Sequence, residues 1–69
     1  MITYDRNRNT ITVGSYVMIA ETGVTGVISN IESKDASPEK VRRSKSVSIK
    51  GAEGMFSPLE LIRLDYQKN

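Results

Sequence analysis

The chain is 69 residues long and carries ten Lys and Arg against eight Asp and Glu, so its net charge is only +2. A chain of this length fits one domain that buries about 60% of the surface its unfolded form exposes, and we expect the core to supply roughly 3–5 kcal/mol. The sequence has no cysteine and no histidine, which excludes disulfides and zinc sites built from these residues. No apolar run approaches the ~20 residues that cross a bilayer, and the N-terminus lacks a signal-peptide pattern. We therefore expect a cytoplasmic protein with no membrane partner.

Residues 1–12 are predicted to form an N-terminal arm or an edge strand. Ile2 and Tyr4 precede a polar run rich in Asp and Asn, whose side chains favour turns because they hydrogen-bond nearby backbone groups. The arm could pair back on Ile11 and Val13 as an edge strand, or it could be a frayed tail.

The first firm strand is predicted over residues 13–20. Val17 and Ile19 share one face of this strand, and Tyr16 and Met18 share the other. The strand therefore has an apolar face for the core and a second face that also carries large side chains.

A tight turn and a second strand follow. Thr22-Gly23 makes the turn, because glycine adopts a positive φ at low cost. The second strand covers residues 25–31, and Gly26 near its start indicates a bulge or a close backbone approach. A bulge in this strand would place both Ile28 and Ile31 on the core.

Residues 32–44 are the longest polar segment and are predicted to be a long mobile loop. Within it, Ser37-Pro38-Glu39 is a helix-start signal, with a capping serine, a proline in the first turn and an acid near the helix N-terminus. A helix here could run only to about Arg43, and it would be marginal alone because nucleation is costly for so short a segment.

A hairpin is predicted after this loop. Residues 45–50 alternate as a strand, with Val47 and Ile49 on the core face. Residues 51–54 form a four-residue connection to a short strand at Met55-Phe56.

The last element is predicted as a 3₁₀ turn that leads into a final strand. Residues 57–60, Ser-Pro-Leu-Glu, fit a capping box, the strand covers 61–64, and 65–69 form a C-terminal tail. The predicted fold is mainly β, a small five-stranded SH3-like barrel over residues 13–64, in which closure of the sheet hides its edges. The predicted core comprises Val13, Val17, Ile19, Ile28, Ile31, Val47, Ile49, Phe56, Leu59, Leu61 and Leu64.

Two glycine-centred motifs resemble a known family. Gly14-x-x-Val17-x-Ile19, followed by Gly26-x-Ile28-x-x-Ile31, resembles the KOW motif of ribosomal and transcription-elongation proteins. The resemblance implies an SH3-like barrel whose glycine loop contacts RNA or a protein partner. In this chain the connection between Ile19 and Gly26 carries Glu21 and no lysine or arginine.

A second resemblance covers about residues 11–64. Val13-Gly14-Ser15-Tyr16-Val17, Thr22-Gly23 with Gly26, and Leu59-Glu60 are similar to a small-protein family of archaea, mostly methanogens. That family implies no activity. Similar barrels also serve as peripheral subunits of photosynthetic electron-transfer complexes, so the likeness leaves a protein-docking role open.

The leading functional prediction is a non-catalytic binding module, a protein-docking or accessory domain that contacts its partner through the long loop of residues 32–44 and the face carrying Tyr16 and Met18. Tyr16 and Met18 are candidate contact residues because they point away from the predicted core face, and Met55 is a candidate at the hairpin. The competing interpretation is that Tyr16 packs against the arm or the long loop. The weak net charge and the acidic turn favour docking, and a marginal core would gain stability from a partner.

The alternative is RNA or ribosome association through a basic loop. Four cations within six positions could neutralise phosphates, and two more would join them if the N-terminal arm folds nearby. The competing interpretation is a solvated loop, balanced by Glu32, Asp35 and Glu39. The candidate residues are Lys40, Arg42, Arg43, Lys45, Arg6 and Arg8.

Catalysis is not predicted. Glu21, Glu53 and Glu60 lie at turns, with no spacing that pairs two of them for acid–base work, and the serines have no histidine to activate them. The chain has no glycine-rich phosphate loop. We expect no catalytic residue, no cofactor and no metal site.

Overall fold

The computed structural model describes residues 2–32 and 37–64, which contain seven short strands, one helix and one 3₁₀ turn. The elements are β1 (Thr3–Tyr4), β2 (Thr10–Ile11), β3 (Tyr16–Ile19), β4 (Thr25–Ile31), α1 (Pro38–Arg42), β5 (Val47–Ile49), β6 (Met55–Phe56), the 3₁₀ turn (Pro58–Glu60) and β7 (Leu61–Arg63). The mainly β fold is confirmed, as is the 3₁₀ turn directly before the last strand. The predicted tail, residues 65–69, lies outside the described residues.

Five strands form a central antiparallel sheet in the order β6-β5-β4-β3-β7. The predicted turn between β3 and β4 is confirmed, since Gly23 has φ +79° and its N–H donates to the Ile19 carbonyl at 2.8 Å. The sheet is open, so the expected barrel is wrong. The outer edge of β7 is occupied by the N-terminal arm, because the Arg6 N–H donates to the Leu61 carbonyl at 3.0 Å.

Strand β4 contains both of the irregularities that its sequence indicates. The register against β5 shifts between Ile28 and Asn30, and this bulge puts both Ile28 and Ile31 in the core. Gly26 permits a close approach, since a Cβ at this position would lie 2.6 Å from Cγ2 of Ile49. A side chain larger than hydrogen at position 26 would force Ile49 to move.

The N-terminal arm is a hairpin of two-residue strands, which form a two-stranded sheet of their own. The pairing is shifted from the expected one: Thr3 lies opposite Ile11, and Tyr4 lies opposite Thr10. Thr3 and Ile11 are buried as a result, while Ile2 is exposed. The Thr3 hydroxyl donates to the Pro38 carbonyl at 2.8 Å, which ties the hairpin to α1.

The predicted helix start at Ser37 is confirmed. The Ser37 hydroxyl accepts the Lys40 N–H at 3.3 Å, and Pro38 occupies the first turn. Val41 faces inward and is almost completely buried. The mobility expected of residues 32–44 stays a prediction, and residues 33–36 lie outside the described part of the chain.

The core lies on one face of the central sheet, beneath the hairpin and α1. The prediction that Val13 and Leu59 lie in the core is wrong, since they are 53% and 39% exposed. Val13 lies in a turn before β3, and Leu59 lies within the 3₁₀ turn. Ile11 and Val41 were missed because they occur in segments read as an arm and a loop. Ala52 and Phe56 pack against the core, whose members are Ile11, Val17, Ile19, Ile28, Ile31, Val41, Val47, Ile49 and Leu61.

Candidate functional site

The sheet face opposite the core carries a group of neighbouring apolar side chains, which we call the outer face. Strand pairing places Tyr16 opposite Val27, and Met18 between Thr25 on β4 and Ile62 on β7. Directly opposed residues point to the same side of a sheet, so these five side chains are neighbours. Val27 is 39% exposed, and Tyr16, Met18 and Ile62 are half-buried. The Tyr16 hydroxyl donates to the Thr25 hydroxyl at 3.1 Å.

Met55 is separate from this group. It lies on β6, an edge strand that β4 and β5 separate from β3. Three interstrand spacings amount to about 14 Å. Its sulfur accepts a hydrogen bond from the Ser48 hydroxyl at 3.0 Å. The structure therefore brings Tyr16 and Met18 together, but not Met55.

The two basic segments of the sequence meet through Arg42. Its Nε donates to the carbonyls of Tyr4 at 3.2 Å and Asp5 at 3.1 Å, and its Nη2 donates to those of Asp5 at 3.0 Å and Arg6 at 3.4 Å. The guanidinium group thus joins α1 to the turn of the N-terminal hairpin. The condition for Arg6 and Arg8 to join the basic loop, that the arm folds nearby, is met.

The Asp5 carboxylate accepts hydrogen bonds from the backbone of that turn. The side chain is completely buried, and its Oδ1 accepts the N–H groups of Asn7 and Asn9, both at 2.8 Å. Its Oδ2 accepts the Arg63 N–H at 2.6 Å. This arrangement holds Arg8 at φ +65°, a left-handed conformation that is uncommon for residues other than glycine. The abundance of Asp and Asn indicated a turn, but nothing local indicated the bond to Arg63.

Two of the candidate cations lie in ion pairs. Arg8 pairs with Glu39 at 3.0 Å, and Lys45 pairs with Glu60 at 2.9 Å. The two cationic side chains are 62% and 67% exposed, so these pairs are weak and exchange readily.

Glu60 also closes the predicted capping box. Its Oε2 accepts the Ser57 N–H at 2.9 Å and the Ser57 hydroxyl at 3.2 Å. The backbone hydrogen bond from Ser57, followed by the hydrogen bond from Lys45, lowers the pKa of Glu60 below its ordinary value of 4.5. Each of these bonds is made to the charged carboxylate, which is why the charged form is favoured.

Most charged side chains of the described residues lie at one end of the molecule, where cations outnumber carboxylates. We call the region built from the N-terminal hairpin, α1 with the residues after it, the 3₁₀ turn and β7 the basic end; α1 and β1 both contact the 3₁₀ turn. It holds seven of the eight described Lys and Arg residues and, counting Glu32 at its border, four carboxylates. Elsewhere among the described residues, the charged side chains are those of Lys50, Glu21 and Glu53. The seven cations are Arg6, Arg8, Lys40, Arg42, Arg43, Lys45 and Arg63.

Comparison with known proteins places the chain in a family. The family described as "YdfZ protein" matches residues 2–65. The chain belongs to the YdfZ family. Proteins named "Putative selenoprotein YdfZ" from Escherichia coli K12, Escherichia coli O6:H1 and Shigella flexneri are each 52% identical over 64 residues. The match covers 93% of this chain and 96% of each relative. No solved structure matches.

Membership of the YdfZ family corrects both resemblances drawn from glycine spacing. The relatives are bacterial, so the expected kinship with an archaeal family and with KOW proteins is wrong. The glycines that suggested this kinship are explained by the local backbone geometry of a small sheet. Gly14 and Gly23 have positive φ, and Gly26 permits close packing of β4 on β5. Positive φ values and close strand packing recur in unrelated β proteins.

Two further findings concern this YdfZ-family chain. Within the described ranges, no three Asp or Glu side chains come together as a possible metal site. None of the helical segments in those ranges has the length and apolarity needed to span a bilayer.

Proposed function

We propose that this YdfZ-family chain is a non-catalytic binding module that docks a protein partner through the outer face. The observation that carries the proposal is the cluster of Tyr16, Met18, Val27 and Ile62 on the side of the sheet away from the core. Tyrosine and methionine are enriched at protein interfaces. A tyrosine supplies apolar area with a polar tip, and a methionine adapts its shape to the partner.

The surroundings of the outer face define the chemistry of the partner. The residues beside the cluster are mostly neutral, with Thr25 on β4, Asn30 and Ser48 further across the sheet, and one cation at Lys50. We therefore expect a partner surface that is apolar at its centre and polar at its rim, and an affinity that changes little with salt. The domain is small, so binding would also raise its stability by mass action.

The name of the curated relatives includes the word selenoprotein. This chain has no cysteine whose sulfur selenium could replace. The proposal depends on the outer face and not on that name.

Site-specific crosslinking in cells tests the docking surface. A photoreactive phenylalanine analogue replaces Tyr16 in one variant and Met18 in a second. The matched control carries it at Glu53, which is exposed in the connection between β5 and β6. We expect positions 16 and 18 to crosslink to the same protein and position 53 not to crosslink to it.

A charged substitution on the outer face tests whether the crosslinks report docking or chance proximity. Val27→Asp adds a carboxylate beside Tyr16, and burying it would cost several kcal/mol, so we expect the crosslinks from position 16 to disappear. Val24→Asp is the control, since Val24 is also exposed but lies in the turn before β4. Crosslinks that survive Val27→Asp, equal crosslinking from position 53, or no protein captured from position 16 would each refute the proposal.

A further inference from the structure

The basic end carries most of the cations of the described residues. Seven cations and four carboxylates lie there, whereas Lys50 with Glu21 and Glu53 gives the rest of the described chain a net negative charge. The basic end therefore has a net charge of +3, which favours the approach of anions.

Three of these cations are available for a ligand. Arg6 and Lys40 make no side-chain ion pair among the described residues, and neither does Arg43, whose Nε reaches the Glu39 carbonyl at 3.5 Å. Arg8 and Lys45 could exchange their exposed carboxylate partners for another anion. Arg42 is committed to backbone carbonyls and acts by holding the two segments together.

We propose that the basic end binds the sugar–phosphate backbone of a nucleic acid. Five of its seven cations are arginines, whose planar guanidinium groups match phosphate oxygens in pairs. The three available cations lie in the hairpin turn and at α1, which Arg42 joins, so the backbone positions that carry them are held together before binding. Contacts of this kind position a ligand without reading its bases. None of the three available cations belongs to the outer face, so this proposal does not depend on the docking proposal.

The number of available cations predicts the salt dependence. Three to five phosphate contacts correspond to slopes of log affinity against log salt of about −2 to −3.5 for single strands and about −2.7 to −4.5 for duplex DNA. Between 50 and 200 mM salt, affinity for a single strand should fall about 20- to 130-fold.

The test measures fluorescence anisotropy with a labelled 12-nucleotide oligouridine and a labelled 12-base-pair DNA duplex, across this salt range. The variant Arg6→Gln/Lys40→Gln/Arg43→Gln removes the three available charges but leaves Arg42 and Asp5 in place. We expect it to weaken binding at 50 mM salt at least tenfold and to reduce the single-strand slope to about −1.4 or shallower. Arg43→Gln alone should reduce that slope by about 0.7. Whichever probe binds more tightly identifies the form of nucleic acid.

Lys50→Gln is the matched control, because it removes one cation outside the basic end. We expect its affinity to stay within twofold of the unmodified protein. Equal weakening by Lys50→Gln would show diffuse attraction and overturn the proposal, as would no binding at 50 mM salt or a flat salt response. Tighter binding of poly-L-glutamate than of either probe would assign the surface to an acidic protein and also overturn it.

Discussion

Asp5 is a completely buried charged residue that connects segments far apart in the sequence. Its carboxylate accepts N–H groups from Asn7 and Asn9 in the hairpin turn and from Arg63 at the other end of the chain. Asp5→Ala would leave three donors without their acceptor, and an unsatisfied buried donor costs about 1–3 kcal/mol. We expect the free energy of unfolding to fall by about 3 kcal/mol, a large part of what a core of this size supplies.

Urea denaturation followed by circular dichroism measures this loss. Glu53→Ala is the comparison variant, because Glu53 is exposed in a connection, and we expect it to change stability by less than about 0.5 kcal/mol. If Asp5→Ala proved as mild as Glu53→Ala, the buried carboxylate would not organise the hairpin as described.

Among the elements, the 3₁₀ turn shows how one carboxylate makes stability depend on pH. The Ser57 N–H and Lys45 lower the pKa of Glu60 in the folded protein, so its stabilising contribution is complete above the ordinary pKa of 4.5. The contribution is lost as the pH falls through the lowered value. We expect Glu60→Gln to be less stable than the unmodified protein at pH 7, and this difference in unfolding free energy to shrink by pH 3.

Lys45→Gln should retain part of this pH dependence, because the hydrogen bond from Ser57 remains. Thermal unfolding of the three proteins between pH 3 and pH 7 provides the measurement. A gap between Glu60→Gln and the unmodified protein that stayed constant over this range would contradict the assigned role of the carboxylate.

Local patterns predicted the elements better than they predicted how the elements meet. The alternation of residues 45–50, the helix start at Ser37 and the capping box at 57–60 each depend on neighbours in sequence, and each is confirmed. Arg42 bonds to the Tyr4 carbonyl across 38 residues, and no local pattern reports such a contact. The contact between the arm and β7 is also long-range, since the Arg6 N–H bonds to the Leu61 carbonyl.

Because local patterns do not report long-range contacts, the sequence predicted only part of each candidate surface. Tyr16 and Met18 are two residues apart on one strand, so alternation alone places them together. Whether Met55 joins them depends on strand order, which puts two strands between them. Arg6 and Lys40 were predicted as parts of one basic surface only on the condition that the arm folds nearby, and it does.

At the scale of the whole molecule, the excess of cations at the basic end predicts that the same side chains favour anion binding and lower the stability of the fold. Like charges crowded within a Debye length of about 10 Å repel one another, and unfolding relieves that repulsion. Arg6 is exposed at the basic end without an ion pair among the described residues, so Arg6→Gln removes repulsion and loses no charge partner. We expect stability at low salt to rise by about 0.5 kcal/mol, which corresponds to about 2–4 °C in Tm.

Thermal unfolding at 10 mM and 500 mM salt measures this gain, which should vanish at high salt because the repulsion is then screened. Lys50→Gln removes a cation from the region where carboxylates are in excess, so it should not raise Tm. Arg6→Gln should bind oligouridine more weakly while unfolding at a higher temperature, and that combination is expected when a surface is kept for binding at the expense of stability. A lower Tm for Arg6→Gln at 10 mM salt would show instead that Arg6 serves the fold, and that the charges of the basic end do not repel one another.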